Sequence, residues 1–143
     1  MQTAAEQHYD RSSECKFTTF VGYEYTDAPN QNNMHRNVIF RNENVTQSPI
    51  STYDTGRGNF PGLWKQLREQ CTDADKGCDA ITIPHNPNLA GGLMFRDPRN
   101  DQERDDRLFF EPIVELTQHK GASECRFDKL AGIGLDTTDE LCS

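Results

Sequence analysis

The sequence predicts a single α/β domain, and three observations support that class. Short runs of β-branched and aromatic residues predict strands at 16–26, 36–41, 80–83 and 109–118. A run with apolar residues three and four positions apart predicts a helix at 60–71. Because a helix and turn-forming loops separate the strands, we expect crossover connections of the α/β type.

The helix predicted at 60–71 has the pattern of a helix that packs against a sheet. Asn59 precedes it as a candidate N-cap, and Pro61 suits its first turn. The residues expected to face the core are Leu63, Trp64 and Leu67.

Two other segments have simpler signals. Residues 1–9 resemble the last turns of a helix, which we expect to begin before this sequence. Residues 97–107 are dense in charges of both signs, which is typical of a solvated helix or loop.

Composition argues against several classes of function. The net charge is −8 and the sequence pI is near 4.9, so a nucleic-acid backbone is not the expected partner. No stretch approaches the roughly 20 apolar residues of a membrane span. The first residues lack the basic and apolar regions of a signal peptide.

Five cysteines in 143 residues favour at least one disulfide, and therefore an exported protein, periplasmic or extracellular. Cys71 and Cys78 flank a turn-forming stretch and are one candidate pair. Cys125 and Cys142 are a second candidate pair, which leaves Cys15 over. The alternative is that the cysteines are free buried thiols. None has the Cys-x-x-Cys spacing of a structural zinc site.

Titratable side chains stand where the predicted strands begin or end. His85 directly follows a strand that should stop at Pro84, because proline cannot donate a ladder hydrogen bond. Glu24 lies near the end of the first strand, and His35 precedes the second. In α/β proteins the carboxyl ends of parallel strands face the ligand-binding crevice. The alternative for His85 is an inert histidine that is hydrogen-bonded in a turn.

These positions predict a metal site. Imidazole and carboxylate groups from different strands suit zinc, manganese or iron. We therefore expect Glu24, His35 and His85 to meet, together with the segment 115–124. A metal held in this way lowers the pKa of bound water and stabilises a phosphoryl group. The sequence has neither a Gly-x-Ser-x-Gly elbow nor a Walker phosphate loop.

Four blocks of the chain, in order, closely resemble the DUF3604 family. They are FTTFVGYEYT from Phe17, MHRNVIFR from Met34, IPHN from Ile83 and ELTQHKGASEC from Glu115. That family is similar to the PHP (polymerase and histidinol phosphatase) superfamily of metal-dependent phosphoesterases. The resemblance implies part of a distorted (β/α)7 barrel, with two or three divalent metal ions at the carboxyl ends of its strands.

The resemblance also implies roles for individual residues. Glu24 is expected to be a bridging carboxylate, His35 and His85 metal ligands, and Glu115 an acidic residue of a core strand. Glu24 and His85 are the expected catalytic residues of a hydrolase in which metal-activated water attacks phosphorus. The expected contacts to a small phosphorylated substrate come from His119, Lys120 and Asn86.

The superfamily's opening His-x-His strand and closing Asp-x-His pair are absent from this sequence. We therefore expect residues 1–143 to be a single partial domain, inactive alone, with the remainder of a parent chain as its partner and any signal peptide upstream. Two other functions stay open. One is a non-catalytic, disulfide-stabilised binding module that uses the loop at 88–99, and the other is a metal hydrolase of a different ester.

Overall fold

The centre of the fold is a three-stranded sheet in which both strand pairs are antiparallel. The computed structural model describes residues 2–118 and 121–122. In the order of their positions in the sheet, the strands are β1 (Val21–Tyr25), β2 (Arg36–Phe40) and β3 (Ala80–Pro84). Arg36 pairs with Tyr25 on one side and with Pro84 on the other. The carboxyl ends of β1 and β3 therefore lie at the same edge as the amino end of β2.

Helices and short turns surround this sheet. The helices are α1 (Gln2–His8), α2 (Thr52–Thr55), α3 (Phe60–Leu67) and α4 (Asp101–Phe110). Short 3-10 turns occupy Pro29–Gln31 and Pro87–Leu89, and a π-helical turn at Arg68–Thr72 extends α3. A small hairpin pairs β4 (Thr117–Gln118) with β5 (Gly121–Ala122).

The core lies between one face of the sheet and α3. The predicted core residues of this helix, Leu63, Trp64 and Leu67, are fully buried, which confirms the three-and-four spacing. They join a cluster that includes Val38 of β2 and Ala80 of β3. The indole Nε1 of Trp64 donates a hydrogen bond to Thr82 Oγ1, 3.2 Å away, and this contact ties the helix to β3.

A buried ion pair joins β2 to the end of α4. Arg36 is fully buried, and its Nε donates to Glu111 Oε1 at 2.9 Å. Its Nη1 also donates to the carbonyl oxygen of Met34 at 2.8 Å, and its guanidinium lies 3.9 Å from the centre of the Phe60 ring. Burial raises the pKa of Glu111, and the positive charge of Arg36 opposes that rise. Each charge therefore compensates the desolvation of the other.

Several expectations need correction. The structure confirms a chain of mixed α/β content, but the described strands pair antiparallel rather than through parallel crossovers. The first strand begins at Val21 instead of residue 16. Asn59 does not cap α3 through its side chain; its Nδ2 donates instead to the carbonyl oxygen of Thr55 at 2.7 Å.

The prediction of a strand at 109–118 is wrong over most of its length. Residues 109–110 are the end of α4, and residues 111–116 form no regular element. The reason is local: Asn100 caps α4 by accepting from the Glu103 amide, so the charged run forms a helix that extends to Phe110, two residues before Pro112. Proline disfavours helical backbone in the residue before it, which ends the helix at this point.

The cysteines follow the prediction where they are described. Cys71 and Cys78 form a disulfide, with their Cα atoms 4.9 Å apart. Cys15 is exposed and bonds to no other cysteine of the described residues. The second candidate pair, Cys125 with Cys142, lies outside those residues. Among the helices that the structure describes, none has both the length and the apolar character needed to cross a membrane.

We predict that the Arg36–Glu111 pair is strongly coupled. Arg36→Met should lower the free energy of unfolding by about 3–5 kcal/mol, because it leaves the buried Glu111 carboxylate with only a longer contact, 3.9 Å to Arg107 Nε. Adding Glu111→Leu should recover part of that loss, since both charges are then gone. Urea unfolding of both single variants and the double variant measures this coupling.

The control is Arg41→Met, which removes an exposed ion pair with Asp79. It should change the stability by less than about 1 kcal/mol. Strictly additive effects of the two core substitutions would contradict the proposed coupling.

Candidate metal site

The antiparallel register brings three predicted ligands to one edge of the sheet. Glu24 is the fourth residue of β1, His35 directly precedes β2 and His85 directly follows β3. The backbone amide of His85 donates to the carbonyl oxygen of His35 at 3.4 Å, which continues the β2–β3 pairing by one residue. The two histidines are therefore neighbours across the strands, and Glu24 lies beside them.

The side-chain geometry places donor atoms of the three residues close together. His35 Nδ1 lies 2.8 Å from Glu24 Oε1, and His85 Nε2 lies 3.7 Å from the same oxygen. One donor atom from each of the three residues lies within 4.8 Å of the other two. Ligands at about 2.1 Å in a tetrahedral site are about 3.4 Å apart, so only small side-chain shifts separate this cluster from a metal-binding geometry.

Burial differs across the cluster. The side chains of His35 and His85 are mostly buried, with 17% and 14% of their surface exposed, whereas Glu24 has 43% exposed. The two imidazole rings meet edge to face, with their centres 5.6 Å apart. The two histidine rings therefore form the buried side of the cluster, and Glu24 forms the side that solvent reaches.

Neighbouring groups orient two of the three side chains. Thr26 Oγ1 donates to Glu24 Oε1 at 3.0 Å. His85 Nδ1 lies 3.5 Å from the carbonyl oxygen of Ile83. The tautomer with its proton on Nδ1 donates to that carbonyl and leaves the Nε2 lone pair toward Glu24. Contacts of this kind to the second ring nitrogen are common for histidines that bind metals.

Electrostatics favour a neutral His35. Burial lowers the pKa of His35 below its usual value, and the carboxylate of Glu24 opposes this effect. His85 also lowers the pKa of His35. A metal binds the neutral form of imidazole. Near neutral pH, His35 is therefore ready to bind a metal with little or no release of a proton.

The other predicted site residues lie either beside the cluster or outside the described residues. Asn86 follows His85 in the left-handed region, with φ 55° and ψ 40°, and its amide donates to Glu115 Oε2 at 2.7 Å. Glu115 therefore lies beside the cluster, although it comes from an irregular segment and not from a core strand. His119 and Lys120 lie outside the described residues.

Sequence reasoning missed one acidic neighbour. Asp27 is 2% exposed, and its charge raises the pKa of His35. Its Oδ2 accepts from the Gly58 amide at 2.8 Å, while its Oδ1 is buried without a partner in the described part of the chain. The available signal was its position three residues after Glu24, but the turn composition of 27–33 predicts only a loop.

Comparison with protein families gives one match. Residues 1–143 match the family described as "Protein of unknown function (DUF3604)". The chain belongs to the DUF3604 family. Comparisons with curated proteins and with solved structures found no match. The family predicted from the four sequence blocks is thus confirmed.

We predict that the His35 ring of the metal-free protein titrates below its usual pKa of 6.5. Since the unfolded chain then binds the proton more tightly, His35 should reduce stability as the pH falls through about 6.5. Histidine NMR across pH 5–8 measures the pKa, and urea unfolding over the same range measures the stability.

His35→Gln should remove this part of the pH dependence. A pKa above 6.5 for the His35 ring would contradict this prediction. It would mean that the carboxylate of Glu24 raises the pKa more than burial lowers it.

Proposed function

We propose that this DUF3604 chain carries the metal centre of a metal-dependent hydrolase with phosphoesterase-like chemistry. The observation that supports the proposal is the convergence of Glu24, His35 and His85, whose donor atoms lie within 4.8 Å of one another. Glu24 lies in β1, His35 directly precedes β2 and His85 directly follows β3, so their meeting depends on the tertiary fold and not on local sequence.

The donor set fits a divalent transition metal. Two imidazole nitrogens and one carboxylate oxygen suit zinc, manganese or iron. A divalent ion bound there supplies an activated water and stabilises the negative charge that develops on a phosphoryl group. The two histidine rings lie on the buried side of the cluster. The exposed carboxylate of Glu24 lies on the open side, from which a substrate can approach.

The proposal extends to a PHP-like site with two or three ions in part of a distorted barrel. Family membership supports it, as does the order in which Glu24, His35 and His85 occur along the chain. The antiparallel pairing of β1, β2 and β3 differs from the parallel strands of such a barrel. The chemistry therefore rests on the cluster more than on the architecture.

Substrate and location belong to the same proposal. A small phosphorylated substrate fits the metal chemistry, and Asn86, His119 and Lys120 remain the predicted contacts to it. The disulfide between Cys71 and Cys78 is compatible with an exported protein.

The test is metal content by elemental mass spectrometry. The protein at its natural length is purified without chelator under oxidising conditions, beside its His85→Ala and His8→Ala variants. Wild type should hold at least one ion per chain. His8→Ala is the control and should hold as much, because His8 is exposed on α1 and is not one of the three clustered donors. His85→Ala should bind metal at least tenfold more weakly, since it loses one of the three donors.

Activity is then measured on phosphomonoester and phosphodiester substrates. Removing the metal or replacing His85 should lower the rate at least a hundredfold, because a metal supplies several kcal/mol of charge stabilisation. A wild-type protein that binds no metal contradicts the proposal and favours the binding module. If the protein binds metal but hydrolyses only other esters, the phosphoesterase assignment is wrong and the protein is a metal hydrolase of a different ester.

A further inference from the structure

The segment after α4 has no regular structure, yet defined contacts fix both of its ends. At its start, Glu111 forms the buried ion pair with Arg36, which directly follows His35 in the chain. Toward its end, Glu115 contacts the carboxyl end of β3. Residues 111–115 therefore link the two histidine-bearing strands through contacts that are independent of the sheet.

Glu115 contacts both neighbours of His85. Its backbone amide donates to the carbonyl oxygen of Pro84 at 3.1 Å. Its side-chain Oε2 accepts from the backbone amide of Asn86 at 2.7 Å. The two peptide units on either side of His85 are thus held by the same residue, and the orientation of the His85 ring depends on both.

The backbone at Asn86 needs such support. Its φ of 55° lies in the left-handed region, where residues other than glycine pay about 1 kcal/mol or more. Asparagine tolerates this region better than most residues, but a hydrogen bond to a carboxylate stabilises it further. Without Glu115, Asn86 keeps the hydrogen bond from the Leu89 amide to its carbonyl oxygen, but its own amide loses its partner, so the turn that orients the His85 ring is held less firmly.

We propose that Glu115 is a positioning residue that sets the affinity of the metal site by fixing His85. The inference rests on the proposed metal centre and adds a residue that is not itself among the clustered donors. Contacts that orient metal ligands typically change metal affinity 10–100-fold when they are removed.

The experiment compares two conservative variants that separate contact from charge. Glu115→Asp keeps the negative charge but is about 1.5 Å shorter, so it cannot keep the 2.7 Å contact to the Asn86 amide. Glu115→Gln loses the charge but retains an oxygen that can accept from that amide. Glu69→Asp is the matched control, because Glu69 is exposed on the turn that follows α3.

Metal binding is measured by titrating the natural-length protein with Co²⁺ and recording its visible absorption spectrum. Glu115→Asp should raise the Kd at least tenfold and shift the spectrum, because His85 is no longer held in place. Glu115→Gln and Glu69→Asp should stay within about threefold of wild type, since both leave the contact at Asn86 in place. Circular dichroism of the metal-free proteins should be the same for all four.

Each other outcome overturns the proposal in a different way. Unchanged affinity and spectrum in Glu115→Asp mean that the contact does not position His85. Equal weakening in Glu115→Gln means that the charge of Glu115 matters instead of the contact. An altered circular dichroism spectrum in Glu115→Asp assigns the residue a purely structural role. If wild type itself binds no Co²⁺, the proposed metal centre fails and the positioning role fails with it.

Discussion

The buried ion pair between Arg36 and Glu111 is the interaction on which the rest of the structure depends. Both side chains are almost completely removed from solvent, with 0% and 3% exposed, and neither charge is stable there alone. Arg36 opens β2 directly after His35, and Glu111 begins the segment that reaches the end of β3. One charge pair therefore fixes both sides of the candidate metal site relative to the core.

The direction of the strands then determines which residues meet. In an antiparallel sheet, the end of one strand lies beside the beginning of the next. Glu24 near the end of β1, His35 before β2 and His85 after β3 therefore share an edge. A parallel sheet would bring the ends of all its strands together, and it would place His35 at the opposite edge from Glu24 and His85. The cluster thus depends on a topology that differs from the predicted one.

The sequence predicted the local features well. The strands that start at Arg36 and Ala80, the buried face of α3 and the pairing of Cys71 with Cys78 all depend on neighbouring residues, and the structure contains them. The sequence also predicts the three clustered donors, because histidines and acids next to strand ends are a recognisable pattern. Their convergence agrees with that prediction, while metal binding itself stays a prediction.

Long-range contacts and competing local signals explain what the sequence did not predict. Arg36 and Glu111 are 75 positions apart, and no local pattern pairs them. The segment 109–118 has apolar residues typical of a strand. Its first two residues instead belong to the capped helix α4, and Pro112 follows shortly after. Ile113 and Leu116 are left exposed as a result. The local sequence around Asp27 is that of an ordinary turn, and its contact with the Gly58 amide spans 31 positions, which no local pattern reveals.

Anomalous X-ray diffraction at the zinc edge, on crystals of the zinc-loaded protein, tests the central claim most directly. The account predicts a peak about 2.0–2.2 Å from one nitrogen each of His35 and His85 and from a carboxylate oxygen of Glu24. It is contradicted by a zinc-loaded crystal with no peak between these three side chains, or with its peaks only at other surface carboxylates.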